Sequence, residues 1–491
     1  MKKKHEGLSA WQLTMMALGS VIGGSFFLGS SVAINAAGPA ILISYILGGF
    51  LVYFILYALS EMTVANPDSG SFMTFASQAF GPGTGFVVGW VYWVGMILSM
   101  SSEATAVSIL LHTWFPNISI AIGGSTIITS VTLLNLLGAD KLSKLTSGLA
   151  TIKLLAIVSF IIIAFLLITG IIPGRGAIGV GELVSEPLLP GGISGIAGSM
   201  LIVVFAYAGF EIIGLAASEA NNPKETIPKA INYTVVSLVG FYIISIIMLL
   251  PLIPTSELNE SMSPMVAALN RWGIAWAGSI INLVLVTAIL SASLASMFGI
   301  ARMLRSLVDD GLAPKWLKDK KDVPYKAIVF SGISMLLGLA FGLLFPRIYL
   351  FLISASGFAL LFTYAVIMAT HIRFRKRNGC PPDGKCQMPG FPYMSWIGLI
   401  SMIIIIFSMP LISGQASGLI IGLVMVAMYS LIYAGMKVFN NSEKNNARNI
   451  NINRKVHGSK LITEFSEELT DSPVEKNKNK CCKKDCNCNK K

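Results

Sequence analysis

Gly19-Ser20-Val21-Ile22-Gly23-Gly24-Ser25-Phe26-Phe27 sits in the middle of an apolar block that runs from residue 10 to residue 36. A second stretch, Phe205-Ala206-Tyr207-Ala208-Gly209-Phe210-Glu211, sits in the middle of another block, from 194 to 217. Each block is long enough to cross the roughly 30 Å of hydrocarbon in a bilayer. Each carries small residues at its centre, which allow a helix to unwind and let bare backbone approach a neighbour or a ligand. Close packing of helices through small residues accounts for the same glycines, so both readings stay open at this point.

Around these two blocks lie ten more, giving twelve in all: 10–36, 39–64, 84–112, 118–137, 148–170, 194–217, 230–254, 273–302, 327–345, 348–370, 393–413 and 416–438. Hydrophobic residues make up 54% of the 491 and charged residues 12%, about half the charge of a soluble domain. In lipid every backbone donor and acceptor must be satisfied within the span, so the blocks are predicted to be helices. A membrane β-barrel would show short alternating segments instead of continuous apolar runs.

The net charge of +12 does not point to nucleic acid, because the basic residues cluster in loops and in the tail. With the N-terminus in the cytoplasm, 32 of the 36 Lys and Arg fall on the inner side, and Arg175, Arg271 and Arg347 fall outside. That asymmetry predicts a multi-pass protein of the plasma (inner) membrane with both termini cytoplasmic. The run after Met1-Lys2-Lys3-Lys4 is too long for a signal peptide and shows no convincing cleavage site, so it is read as a retained first span. The expected organisation is a cytoplasmic N-terminus (1–9), a first five-helix repeat (10–170), an outside loop (171–193) and a second five-helix repeat (194–370). A cytoplasmic loop (371–392), two additional helices (393–438) and a disordered Cys- and Lys-rich cytoplasmic tail (439–491), with a short helix across 461–469, complete it.

If the chain repeats every five helices, the two glycine-rich stretches open corresponding helices, the first and the sixth. Membrane transporters built of inverted repeats bind substrate near the bilayer midplane between such unwound helices. The amides freed at a half-helix N-terminus hold a carboxylate, and freed carbonyls hold an ammonium group. A zwitterion is then bound through its backbone atoms with no charged side chain.

At these residues the chain resembles the amino acid permeases of the amino acid–polyamine–organocation superfamily, and more narrowly their bacterial branch. The first-helix pattern Ile-Gly-(Thr/Ser)-Gly-(Ile/Leu)-Phe is met by Ile22-Gly23-Gly24-Ser25-Phe26-Phe27, with Gly24 at the hydroxyl position and Ser25 at the second glycine. Ala37-Gly38-Pro39-Ala40, Leu59-Ser60-Glu61-Met62, Trp90 to Trp93 and Glu103-Ala104-Thr105-Ala106 also match. So do Phe205 to Glu211, the exit Ser218 to Ala230, and Asp310-Gly311-Leu312-Ala313-Pro314. The resemblance spans roughly residues 8 to 438. It implies an all-α LeuT-type fold of twelve transmembrane helices, a 5+5 inverted repeat plus two. It also implies that the amides around Gly23, Gly24 and Ser25 hold the substrate carboxylate. The carbonyls of Val21, Phe205 and Ala208 would hold its amine, and Phe205 would gate the site. Ser25 in place of glycine either narrows the pocket or adds a hydroxyl donor.

An ionisable group inside a block costs a few kcal/mol or more, and three of them are read separately. Glu211 is either a proton carrier or an acceptor for unwound backbone. Glu103, with Ser99, Ser101, Ser102 and Thr105 around it, either contacts a substrate amine or makes a polar helix–helix contact. Lys153 either snorkels to the interface or, as the resemblance implies, stands in for a coupling sodium ion by gaining and losing a proton. Ser291, Ser293 and Ser296 could equally ligate sodium, so the coupling ion is a proton with sodium as the alternative.

No cofactor or metal is expected. The tail group Cys481, Cys482, Cys486 and Cys488 is a weak alternative for a soft metal and lacks structural zinc spacing. These four, with Cys380 and Cys386, are expected to be reduced thiols of the cytoplasm. Neither a P-loop nor a His, Asp or Cys cluster for enzyme chemistry is visible. The expected function is secondary active transport of amino acids, proton-coupled, by alternating access. Polyamine or organic-cation transport, amino acid exchange and nutrient sensing are the alternatives. The partners are an amino acid and the lipid bilayer, not nucleic acid, and the oligomeric state is open.

Overall fold

The Ser9 hydroxyl accepts the Gln12 N–H at 3.3 Å, and the Ser9 N–H donates to the Gln12 side chain at 2.8 Å. This reciprocal cap starts α1 (Ala10–Val21). In the computed structural model, residues 9–65, 71–137, 139–171, 176–211, 213, 220–319, 323–380 and 388–440 are described. Met1–Lys437 form one compact unit and Val438–Lys491 a second, of which only the first three residues are described. The tail cysteines and the 461–469 helix lie outside the described residues.

The architecture is all-helical, with no β-strand among the described residues. α1 stops at Val21 because Ile22 turns to an extended conformation (φ −72°, ψ 102°). A π-helical turn, Ser25–Gly29, leads into α2 (Ser30–Ala37). The first span is therefore broken at the glycine pair. There follow α3 (Ile41–Ala65), α4 (Ser71–Phe80), α5 (Pro82–His112), α6 (Ile120–Asn135) and α7 (Ala139–Thr169). The second half holds α8 (Gly192–Ala206), α9 (Pro223–Leu249), the short α10 (Pro264–Arg271), α11 (Ala275–Asp309), α12 (Tyr325–Gly342) and α13 (Ile348–Asn378). α14 (Tyr393–Ser408) and α15 (Ala416–Asn440) are the last helices among the described residues.

Among the described residues nine helices are long and apolar enough to cross a membrane, fewer than the twelve predicted blocks. The first block is split by its break, and the fourth and sixth appear as the shorter apolar helices α6 and α8. The sequence also left α4 and α10 unread, since both sit in segments taken as connections. α10 lies within the expected 255–272 loop. Cys380, expected as a thiol, is disulfide-bonded. The compartment argument weighs redox environment, whereas pairing also needs two sulfurs in bonding geometry.

Corresponding helices of the two halves pack on each other, α3 against α9 and α5 against α11, as two interlocked inverted repeats require. α13 is the most enclosed of the candidate spans, with 83% of its apolar window buried, and it packs on α3, α4, α5, α8 and α14. α15 is the opposite extreme at 11%, and its Ile420, Leu423, Val424 and Leu431 point outward. Apolar surface left out of the core is expected where lipid replaces water.

On the face opposite residue 9, Arg271 at the end of α10 pairs with Glu257 and Glu182, each at 2.8 Å. Nearby, Thr255 gives its N–H and hydroxyl to Glu186 at 2.6 and 2.8 Å, and Ser31 of α2 donates to the Met262 carbonyl at 3.1 Å. These contacts bind α10 and its neighbouring loops over the far end of the broken first span.

Helix contacts here rely on absent side chains. A Cβ on Gly95 of α5 would stand 2.4 Å from the Ala359 Cβ of α13, while one on Gly435 of α15 meets nothing within 4 Å. Gly95→Ala should therefore lower the melting temperature in detergent, in line with an overpacking cost of ~1–3 kcal/mol, and Gly435→Ala should not. Equal melting curves for the two variants would refute this packing account.

Candidate functional site

The two broken helices meet. Ser20, one residue before the end of α1, donates its hydroxyl to the Gly209 carbonyl at 2.8 Å. A Cβ on Gly209 would lie 3.0 Å from the Ser20 carbonyl oxygen, and its φ is +107°. Glycine is required there on both counts, by handedness and by close approach. α8 ends at Ala206, where the Tyr242 hydroxyl of α9 donates to the Ala206 carbonyl at 3.0 Å. The second break thus falls inside the stretch that the sequence singled out.

At the first break the backbone exposes two ends of opposite polarity. α1 presents carbonyls, the negative end of its dipole, and the next half-span presents amides, the positive end. Each end is met by a buried charge. Glu103 of α5 accepts the Gly24 N–H at 2.9 Å through Oε2 and 3.1 Å through Oε1. Lys153 of α7 donates from Nζ to the Gly19 carbonyl, and to the Ile22 carbonyl at 3.2 Å. A third partner, the Tyr349 hydroxyl of α13, donates to the Gly24 carbonyl at 3.2 Å.

Lys153 is 0% exposed. It does not snorkel, because carbonyls released by the break satisfy its ammonium deeper inside the protein. Glu103 occupies the anion position at the half-helix N-terminus, the place the resemblance assigns to a substrate carboxylate. The departure from the family pattern makes room for it. A Cβ on Gly24 would lie 3.0 Å from Glu103 Oε2 and one on Gly23 3.1 Å from Oε1, so a hydroxyl residue at position 24 would press on the carboxylate.

At the second break the Gly209 N–H donates to Glu211 Oε2 at 2.7 Å, and the Tyr364 hydroxyl of α13 donates to Oε1 at 2.5 Å. Glu211 thus accepts from unwound backbone, and it does not itself line the cavity described next. The Phe205 carbonyl already accepts the Ala208 N–H at 3.0 Å, leaving one lone pair for another donor.

A small cavity of about 40 Å³, partly open to solvent, lies between the breaks, well below the volume of a small-molecule site that stands open. Val21, Gly23, Ser25, Glu103, Phe205 and Ala208 of the predicted set all line it. Gly24 lies behind, on the Glu103 carboxylate, and Lys153 and Glu211 do not line it. Ser293 and Ser296, read as sodium ligands, are on its wall, while Ser291 is not. The sequence missed Met96, Met100 and Leu360 as wall residues, and Tyr349 and Tyr364 as supports. The two tyrosines carried a signal, since a buried phenol needs a partner for its hydroxyl. The apolar wall residues carried none, because on a membrane helix they look like any lipid-facing or packing residue.

The family model for "Amino acid permease" matches residues 12–448. The chain is 32% identical to the gamma-aminobutyric acid permease of Bacillus subtilis (strain 168) over 442 residues, 88% of this chain and 94% of that one. It is 31% identical to the probable threonine/serine transporter YbxG of the same organism, covering 88% and 95%. It is 32% identical to the gamma-aminobutyric acid permease of Escherichia coli (strain K12), covering 82% and 88%. In fold it is similar to the crystal structure of a mutant manganese transporter of Eremococcus coleocola, with a TM-score of 0.52 at 13% identity over 88% of this chain and 95% of that one. With a broken-helix cavity at its centre and relatives that match it nearly end to end, the chain belongs to the amino acid permease family.

Proposed function

We propose that this permease is a secondary active transporter that carries an amino acid across the plasma membrane with a proton, by alternating access. The observation that supports it best is the pairing of opposite charges on the two backbone ends of the first break. An anion holder on the Gly24 amide and a cation holder on the Gly19 and Ile22 carbonyls are what a zwitterion needs. In this reading the substrate carboxylate takes the amides around Gly23, Gly24 and Ser25 from Glu103. The amine takes the carbonyls of Val21, Phe205 and Ala208, and Phe205 closes over it.

The proton belongs to Lys153 or Glu211. Lys153 grips the C-terminal carbonyls of α1, so losing its proton removes the charge that holds that half-helix in place. Glu211 joins the second break to α13 through Tyr364, so a proton on it removes its charge there and weakens that tie. Both links run from an ionisable group to a helix that must move. The names of the relatives, gamma-aminobutyric acid in two and threonine/serine in another, support an amino acid as cargo without choosing which.

The runner-up is an organic cation or polyamine. Glu103 is the one carboxylate among the described residues lining the cavity, which favours an amine with no carboxylate of its own.

Purified protein in proteoliposomes should accumulate one class of amino acid only under an inward proton gradient. Exchange that ignores the gradient would make the protein an exchanger, and uptake of polyamines alone would favour the runner-up. Glu211→Gln should cut gradient-driven uptake by about tenfold, a loss of roughly 1.4 kcal/mol, while sparing exchange. Full gradient-driven uptake in that variant would leave coupling to Lys153.

Glu103→Gln separates the two cargo readings. If Glu103 competes with the substrate carboxylate, removing its charge should leave the equilibrium Kd for a neutral amino acid unchanged or lower. A Kd raised by about tenfold or more, the order expected for losing a charged hydrogen-bond partner, would instead place the substrate amine on Glu103.

A further inference from the structure

Away from the cavity, Glu61, His371 and Arg375 form a second buried cluster of charge. Glu61, in the last turns of α3, has Oε2 2.7 Å from His371 Nε2 and 3.1 Å from Arg375 Nε. Its other oxygen accepts the Met388 N–H at 2.5 Å. The Glu61 and His371 side chains are fully buried and that of Arg375 is 6% exposed. His371 Nδ1 lies 3.1 Å from Ser395 Oγ, at the start of α14, and the Arg375 guanidinium lies 4.6 Å from the centre of the Phe391 ring. The cluster therefore joins α3, α13 and the segment entering α14.

α13 carries the other half of the argument. Tyr364 and His371 are two helical turns apart, and Arg375 follows about one turn later, so all three lie on one stripe. Tyr349 lies on the same side nearer the other end, about 39 Å from Arg375 along the axis. Along this stripe one unbroken helix contacts the first break (Tyr349 on the Gly24 carbonyl), the second break (Tyr364 on Glu211) and α3 (His371 and Arg375 on Glu61).

We propose that Glu61, His371 and Arg375 are positioning residues for transport. They form a latch between α3 and α13, at the face the charge distribution assigns to the cytoplasm, and this latch sets where α13 stands against both breaks. The inference rests on the transport reading above and goes beyond it. A buried carboxylate is tolerated only while its partners stay aligned. The cluster is thus either made or broken, and an element with two discrete arrangements can bias a conformational equilibrium. None of the three lines the cavity, so the latch acts on the balance of states and not on the substrate. Breaking it frees the end of α13, through which Tyr364 holds the second break.

Two variants test the latch in the full-length protein. Glu61→Gln keeps the shape and removes the charge. A combined Glu61→Gln, His371→Gln, Arg375→Met variant removes every charge, so that none is left stranded if the single variant folds poorly. Hydrogen–deuterium exchange, equilibrium binding of the transported amino acid in detergent, and initial uptake rates in liposomes are measured on each.

The expected result is faster amide exchange at the 364–378 end of α13 and around both breaks. The uptake kcat should shift by about tenfold, with the Kd within about threefold of wild type. Wild-type exchange and kcat in a folded variant would overturn the latch, as would a kcat that falls only in step with the folded fraction. A wild-type protein that carries no amino acid would instead sink the transport reading, and the exchange comparison would then decide the latch by itself.

Discussion

A backbone amide or carbonyl without its helical partner is costly in an apolar interior unless another polar group meets it. The two interrupted helices create several such groups at the centre of the protein, and the surrounding helices supply partners for them. Glu103 comes from α5, Lys153 from α7, Tyr242 from α9 and Tyr349 from α13, while Glu211 takes the Gly209 N–H and is itself held by Tyr364 of α13. Removing the breaks would strand these side chains as buried polar groups. Removing the side chains would strand the breaks. Each half of the arrangement exists because of the other.

The same satisfaction makes the site competitive. A carboxylate already on the Gly24 amide and an ammonium already on the Gly19 and Ile22 carbonyls mimic the two charged ends of an amino acid. In the transport reading proposed above, a zwitterion entering the cavity would meet backbone whose needs are already met, and would have to displace those partners to bind.

Rigid support comes from α13, which reaches both breaks and also a buried charge cluster near its far end. Its enclosure among α3, α4, α5, α8 and α14 keeps its tyrosines in register with the breaks. The glycines and alanines of α5 and α13 let the two helices approach closely, which suits an environment where packing replaces the hydrophobic effect as the force between helices.

The sequence alone determined the membrane class and the helical architecture and marked the two stretches where the helices break, through apolar run length, charge on loops and glycine at points where a helix can open. Five of the six predicted residues on the cavity wall came from the family resemblance, and Glu103 from its place inside a span. The sequence also ranked Glu103, Lys153 and Glu211 as the ionisable residues of interest, because each is expensive where it stands. Only the tertiary structure decided what they touch. Glu103 and Gly24 are far apart in the chain, as are Lys153 and Ile22, Tyr364 and Glu211, and His371 and Glu61. No local pattern encodes which helix faces which. The direction of each charged side chain was set by the packing of α5, α7 and α13 around backbone groups that exist only once both breaks have formed.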